Sequence, residues 1–541
     1  MDILNYSLGI FAPKDVTLSN KNLNDSNSAG GRGLKSSYIN LSQNEFYCQY
    51  YDLVTDIREA FIKTYGDDLN EEKKRAQIKY DGHTIIETLF DQEGVYTNAD
   101  RMKEYEEMIY FDLFGLGVLE PILNDETITE IMVVSHDKIF LEKDGNPFLS
   151  EYKFPSYENA LGTVRKIIEP LNKRLNYSQP SVDAQLPDGS RLSASIPPVK
   201  ADGGISITIR KFPKEVKNMI VMHDLYGNAS LEMIEFLENC VNKKVNIIAS
   251  GGTGSGKTTL LNALSTAIPA RERLLTCEDT KELQLLQPHV EAYMTVSENM
   301  EGKGEFSMRD IIVAALRKRP DRIIVGECRG GEIVEMLNAM NTGHDGSLST
   351  IHANNPKDLI KRATTMILSN ESTKGLPQIA ILQLLASAVN LIIQTSRLQD
   401  GSRRIVNITE VLGTGFDGWR LLADKLGEQE TIKLVGQPKE DQIYMYDIFK
   451  FIQYGQNDKG EVTGWYESTG YRPYLLDKMI MNGSTFKYME VYETPTKLLE
   501  VTGKFQCGYE RVRNVVIGDL PVKWNSEEQK YTVREDGDFT E

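Results

Sequence analysis

The run Gly251-Gly252-Thr253-Gly254-Ser255-Gly256-Lys257-Thr258 fills the pattern G-x-x-x-x-G-K-[ST], and it follows the mostly apolar stretch Val245 to Ala249, which reads as a buried strand. Residue types and spacing together point to phosphate binding. Glycines let backbone N–H groups close around a chain of phosphates, the helix beginning near Lys257 turns its positive end toward that chain, and Lys257 reaches the β/γ oxygens. The Thr258 hydroxyl is the expected Mg²⁺ ligand, and Thr259 extends the phosphate-binding run. A chance glycine-rich turn would lack the strand before it and the helix after it.

A phosphate cradle only binds, and hydrolysis needs in addition an acid to orient water and groups to hold a metal and offset transition-state charge. Three later segments can supply them. Arg322-Ile-Ile-Val-Gly-Glu327 is an apolar strand ending in a carboxylate, the layout of a Walker B strand, with Gly326 where an aspartate is usual. Glu327 is the candidate general base; a surface glutamate at a strand end is the alternative. Thr276-Cys-Glu278-Asp279 places two carboxylates at the end of another apolar strand, where α/β sheets gather ligands. Glu278 and Asp279 are therefore candidate metal and water organisers, or else an acidic cap on the next helix. Whether Glu278 or Glu327 takes the proton stays open at this level. His344 and His352 bracket a short strand without the Cys or acid cluster of a zinc site. His352, at the strand's end, can sense the γ-phosphate or be a satisfied core histidine.

A further constellation lies upstream. In Arg191-Leu-Ser-Ala-Ser-Ile196 and Ile205-Ser-Ile-Thr-Ile-Arg210, period-two alternation puts the apolar residues on one face and the arginines on the other. A hairpin with Ile196 opposite Ile205 sets Arg191 across from Arg210. Like charges so placed destabilise a sheet unless an anion lies between them, which suggests a phosphate clamp; a solvated face is the alternative. Arg317, Lys318 and Arg319 precede Pro320 and read as a helix C-terminal cap, or as an intersubunit contact.

The elements that must position these residues follow from pattern changes along 541 residues, a length that implies several folded units. Residues 1–45, rich in Asn, Ser and Gly, read as a flexible arm, followed by a helical lead-in over 46–96. Short β-branched runs with an intervening helix mark an α+β domain at 97–215, and 216–228 reads as a linker. From 229 to 415 strands alternate with helices, as in a mainly parallel sheet. Residues 416–490 read as a mixed C-terminal subdomain, and 491–541 as an extension of open role. Acids outnumber bases 78 to 61, a net charge of −17, so no global field draws the chain to nucleic acid or anionic lipid. Five scattered cysteines without a C-x-x-C pair fit a reducing cytosol, and the N-terminus lacks a signal-peptide pattern. The longest apolar stretch, Ile379 to Ile393, is short of the ~20 residues that cross a bilayer.

With these residues assembled, the chain resembles the type II/type IV secretion ATPase superfamily, and most closely its tight-adherence (Flp-type) pilus assembly branch. The likeness rests on Gly115-Leu-Gly-Val-Leu-Glu-Pro121, Val182-Asp-Ala-Gln-Leu-Pro-Asp-Gly-Ser-Arg191, Ile209-Arg-Lys-Phe212, the phosphate loop, Glu278-Asp279, Arg319-Pro-Asp-Arg-Ile-Ile-Val-Gly-Glu327, the run ending at His352, and Tyr444-Met-Tyr-Asp-Ile-Phe449. It implies a PAS-like α+β domain preceding a RecA-like P-loop motor domain in a homohexameric ring, with ATP between the two domains. It also implies that Lys257 and Thr258 bind phosphate and Mg²⁺, that Glu327 is the catalytic acid, and that Arg191 and Arg210 complete the site. The implied partner is an integral inner-membrane platform that extrudes pilin, served from the cytoplasm. A ring ATPase moving nucleic acid, a small-molecule kinase and an inactive nucleotide-binding scaffold are the competing readings, and the −17 charge opposes the first.

Overall fold

The computed structural model describes residues 37–143, 145–212, 218–296, 303–503, 514–517, 520–525 and 530–533. The chain divides into two compact units, Met1–Pro213 and Lys214–Glu541.

In the first unit, helices α1 (Gln43–Gln49), α2 (Tyr51–Tyr65), α3 (Arg75–Gln92) and α4 (Ala99–Phe114) lead into α5 (Leu119–Asn124) and a six-stranded sheet. Short strands β1 (Ser37–Tyr38) and β2 (Val95–Tyr96) pair in parallel outside that sheet. The sheet holds β3 (Ile128–Ser135), β4 (Lys138–Lys143), β5 (Asn146–Leu149), β6 (Ser181–Gln185), β7 (Arg191–Ser195) and β8 (Ser206–Arg210), in the order β5-β4-β3-β8-β7-β6, with α6 (Tyr157–Ile168) between β5 and β6 in sequence. Alternation along β7 and β8 buries Leu192, Ala194, Ile207 and Ile209, and these share one core with Phe46, Ile57 and Phe61 of the lead-in helices. The helices are thus part of the same packed body as the sheet. Residues 37–45, expected within a flexible arm, are ordered: Ser42 and Glu45 form a capping box at the start of α1, and Ile39 is buried. The rest of the expected arm, residues 1–36, lies outside the described residues.

In the second unit, α7 (Met219–Tyr226) and α8 (Leu231–Asn242) precede a ten-stranded sheet. The expected linker at 216–228 is therefore largely helix, N-capped by Asn218 and ended by left-handed Gly227, with Met219 and Met222 in the core. The sheet contains β9 (Ile247–Gly251), then α9 (Lys257–Ser265), β10 (Leu274–Glu278), β11 (Val290–Met294), α10 (Met308–Leu316), β12 (Arg322–Val325), α11 (Ile333–Asn341) and β13 (Leu348–Ile351). After α12 (Pro356–Ser369) and α13 (Gln378–Ala388) come β14 (Leu391–Arg397), β15 (Arg403–Thr414), α14 (Gly415–Leu426), α15 (Glu428–Val435), β16 (Ile443–Gln456), β17 (Val462–Thr469), α16 (Tyr474–Met481) and β18 (Pro495–Thr502). Strand order is β11-β10-β12-β13-β9-β14-β15-β16-β17-β18. The strands from β11 to β14 are parallel, and those from β14 to β18 form an antiparallel meander. This is a RecA-like motor sheet, in which β13 separates the strand before the phosphate loop from the strand before Glu327. The preceding unit is the smaller α+β domain.

Two expected boundaries dissolve in this sheet. Residues 416–490 share it with the motor strands, and β18, from the extension at 491–541, forms its last strand. Hydrogen bonding explains this: the open edge of β15 is completed by β16 over Asn407–Thr414, so no separate sheet is nucleated. Beyond it, β19 (Asn514–Ile517), β20 (Leu520–Asn525) and β21 (Lys530–Val533) form a small antiparallel sheet.

Arg322 begins β12 with its side chain fully buried, and it forks onto Glu272 at 2.5 and 3.1 Å while donating to Val241 O at 2.6 Å. It anchors the end of β12 opposite Glu327. Removing one partner of a buried pair strands the other charge, so Glu272→Ala is expected to cost about 3–5 kcal/mol in urea denaturation of the full chain. A cost under about 1 kcal/mol would show that water reaches the arginine.

Candidate active site

Because β10, β12, β13, β9 and β14 are parallel, their carboxyl ends lie on one edge of the sheet, and each delivers a residue there. β9 runs into the phosphate loop, β10 ends at Glu278, β12 leads to Glu327, β13 to His352, and β14 ends with Thr395 and Arg397. Gly254 and Gly256 have φ of +70° and +91°, a left-handed backbone that a side chain would strain, so the loop turns its amides inward only with glycine there. Thr395 Oγ1 donates to Ser250 O at 3.0 Å and leaves its own oxygen to accept from Ser255 Oγ at 2.9 Å, which ties the loop to β14.

Lys257 is buried at 7% exposure, its Nζ donating to Gly251 O at 3.0 Å and Gly252 O at 2.9 Å and lying 3.2 Å from His352 Nδ1. An ammonium can only donate, so Nδ1 accepts and the imidazole proton sits on Nε2, 3.1 Å from Glu327 Oε1. Burial, and after it the Lys257 charge, hold the His352 pKa below its ordinary value, against the pull of Glu327. The imidazole is neutral at pH 7. Glu327 Oε2 receives Arg329 Nη2 at 2.9 Å, and Arg329 Nη1 lies 3.3 Å from Asp279 Oδ2. An unbroken polar chain thus runs from Lys257 through His352, Glu327 and Arg329 to Asp279.

Glu278 is turned inward at 2% exposure, and its Oε1 accepts the backbone N–H groups of Glu282 and Leu283, both at 2.8 Å. Burial pushes its carboxyl up to about 7 against the pull of those two donors, and Oε2 is buried without a hydrogen bond among the described residues. The glycine at 326 now has a steric reason. A Cβ there would stand 3.1 Å from Glu278 Cγ, so the carboxylate from β10 fills the space a side chain on β12 would need. Holding Glu282 N also positions Glu282, whose Oε2 accepts from Thr258 Oγ1 at 2.9 Å.

Among the described residues no group of three or more His, Cys, Asp or Glu side chains is arranged to hold a metal by itself. The paired oxygens of Thr258 and Glu282 fit Mg²⁺ all the same, because that ion keeps several waters and takes one or two protein oxygens beside substrate phosphates. His344 sits at the opposite end of the four-residue strand β13 from His352 and belongs to no shared site with it.

Arg191 and Arg210 are brought together in the first unit, where β7 and β8 pair Arg191 with Arg210, the register expected from sequence. On its other side Arg210 is paired with Glu130 of β3, whose carboxyl is raised by burial and pulled down by Arg210. The remaining candidates gather on the second unit. Sequence reasoning passed over Glu282, Arg329, Arg397 and Arg403. The first two carry only weak signals, a carboxylate four residues beyond Glu278 and an arginine two residues beyond Glu327. Arg403 faces Arg397 across the β14–β15 hairpin and donates from Nε to Gly254 O at 2.9 Å.

A pKa held below the free-imidazole value means that the unfolded chain binds more protons there than the folded one. His352 therefore adds stability above the ordinary histidine range that is lost as pH falls through it. Lys257→Met removes the largest of the charges that depress this pKa, ahead of Arg362 and Arg329, so the His352 titration followed by NMR should move upward. An unmoved midpoint would show that the Lys257 charge contributes nothing to the depression.

A family model described as "Type II/IV secretion system protein" matches residues 112–414, more than half of the chain. A putative conjugal transfer protein of Mycobacterium tuberculosis is 33% identical over 304 residues, 55% of this chain and 84% of its own length. Protein VirB11 of Agrobacterium fabrum is 33% identical over 309 residues, 51% of this chain and 88% of its own. The VirB11 ATPase of the Brucella suis type IV secretion system, solved in complex with sulphate, is similar with a TM-score of 0.30 and 27% identity over 56% of this chain and 95% of that one. The phosphate loop, the carboxylates gathered on its edge of the sheet and the family match agree: this chain belongs to the type II/IV secretion system protein family.

Proposed function

We propose that the protein hydrolyses ATP to ADP and phosphate and converts turnover into movement of its first unit, driving pilin extrusion through an inner-membrane platform in a tight-adherence-type machine. The observation that carries this reading is the chain Lys257–His352–Glu327, which links the residue that meets the β/γ-phosphates to the carboxylate that handles water. ATP would lie on the phosphate loop with Gly251 to Thr259 around it. Thr258 would hold Mg²⁺ together with Glu282, and the ion would offset charge on the phosphates. Glu327 polarises the attacking water, His352 keeps that carboxylate in register with the γ-phosphate, and Glu278 holds the Glu282 loop in place.

Arg191 and Arg210 belong to a separate unit, so they can grip a γ-phosphate only while it is present. Loss of that phosphate releases the unit, and a grip that differs between the two states is what allows turnover to shift a conformational equilibrium. The match to the type II/IV secretion family and the relative named for conjugal transfer support a part in a transport machine. No helix of the described residues is long and apolar enough to cross a membrane. In the proposed reading the chain works as a homohexamer at the cytoplasmic face of the membrane, through a platform protein. The net charge of −17 argues against nucleic acid as the substrate that is moved.

Two variants test the reading by phosphate release and nucleotide binding on the full chain. Glu327→Gln should keep ATP binding while turnover falls ~10²- to 10⁴-fold, the contribution of a positioned general base. Arg210→Ala should reduce turnover by ~10³-fold or more with a much smaller change in ATP affinity. Turnover unchanged in Glu327→Gln sinks the assignment of the base, and an Arg210→Ala effect confined to binding sinks the latch.

A further inference from the structure

We propose that the β14–β15 hairpin supplies a second arginine pair, Arg397 and Arg403, which grips the α- and β-phosphates of the nucleotide seated on the phosphate loop. The inference rests on the nucleotide reading above and adds the residues that set affinity for the diphosphate portion.

Placement comes first. Arg397 ends β14 and Arg403 begins β15, and the antiparallel register sets them directly opposite one another. Both are exposed, and both lie against the glycines that shape the loop. A Cβ on Gly254 would stand 3.5 Å from Arg397 Nη1, and one on Gly256 would stand 3.2 Å from Arg403 Cδ. Arg403 Nε is bonded to Gly254 O, which fixes one edge of that guanidinium at the rim of the cradle. Two like charges across a hairpin are costly in themselves, and here they add to the positive end of α9 and to Lys257 where a phosphate chain would lie.

The side of the loop decides which phosphates are met. β9 is flanked by β13 on one side and β14 on the other. The β13 flank carries His352 and, beyond it, Glu327, the γ-phosphate side of the site. The β14 flank carries the arginine pair, and thus faces the other end of the phosphate chain. Guanidinium forks suit that task because they bind two phosphate oxygens at once and keep their charge.

The hairpin is also held in place in advance. Asp400, in its turn, accepts from Ser402 N at 3.0 Å, Ser402 Oγ at 2.6 Å and Val462 N at 2.9 Å. Next to it, Arg404 is buried at 2% exposure and donates to Tyr226 O at 2.6 Å. Thr395 closes the other strand onto Ser250 and Ser255. A rigid mount of this kind lowers the ordering cost of gripping a ligand.

The test is calorimetric titration of the full chain with MgADP, together with ATPase kinetics, for Arg397→Ala, Arg403→Ala and the double variant. Each single change should weaken ADP about tenfold. KM for ATP should rise by more than kcat falls, because a contact to these phosphates is made in both the ground and transition states. A double variant that keeps its native far-UV circular dichroism and binds ADP within twofold of wild type overturns the proposal, as does a loss of kcat with KM preserved. If an alanine variant fails to fold, Arg397→Lys and Arg403→Lys keep the aliphatic stem and charge but lose the fork. An affinity loss of threefold or more supports the proposal, and a smaller one overturns it. Lys257→Ala serves as the control: ADP binding unaffected by that change sinks the nucleotide reading itself, whereas binding lost there and kept in the arginine variants sinks only this inference.

Discussion

Parallel alignment of five neighbouring strands is the constraint on which the site depends. Parallel strands end on the same edge of a sheet, so residues as distant in sequence as His352 and Thr395 come within hydrogen-bond reach of one glycine-rich run. The insertion of β13 between the strand of the phosphate loop and the strand of Glu327 matters as much as the direction. It places one strand end between the lysine and the carboxylate, and the residue at that end, His352, is long enough to touch both. Had β12 paired directly with β9, no strand end would separate Lys257 from Glu327 and a histidine bridge would have no place.

The charge balance of the site follows from the same arrangement. Lys257, withdrawn from water, donates to two backbone carbonyls of the loop and lies beside the His352 imidazole, so its ammonium is held at the loop itself. A neutral imidazole transmits position without adding charge, and Glu327 is held between that imidazole and the Arg329 guanidinium. Glu278, in contrast, is turned into the core. Its burial raises its pKa, and its acceptor capacity goes to two backbone amides, which makes it the support for the loop that presents Glu282 to Thr258. Two adjacent acids that look equivalent in sequence therefore have different environments. Asp279 faces solvent and an arginine; Glu278 faces the core.

Strands β16 to β18 of the antiparallel meander extend the motor sheet beyond the residues matched by the family model, which end at 414 with β15. It is bound to the phosphate loop through the β14–β15 hairpin, since Asp400 in that turn accepts from Val462 on β17. Any movement of the hairpin on nucleotide binding would be transmitted to this extension through rigid hydrogen-bonded strands, so the meander is mechanically continuous with the site.

Local sequence determined the features that depend on residue type and short-range period. The phosphate loop was legible because only glycine tolerates its left-handed turns, and the face of the Arg191–Arg210 pair because alternation buries Leu192, Ala194, Ile207 and Ile209 opposite it; the register itself rests on setting Ile196 opposite Ile205 in a hairpin. The apolar strands of the motor sheet were legible because burial on both faces removes polar residues from them. Tertiary structure alone decided which strand lies beside which, and with it the roles that come from crossing strands: Gly326 yielding space to Glu278, Glu282 reaching Thr258, Arg329 bridging Glu327 to Asp279, and Arg403 meeting Gly254. It also decided that 37–45 are ordered and that 219–226 are helical, where capping side chains and buried apolar residues outweigh a polar, linker-like composition. The physical reason is common to all of these. Backbone conformation is set by neighbours along the chain, whereas contact between side chains distant in sequence depends on strand order, which no local pattern encodes.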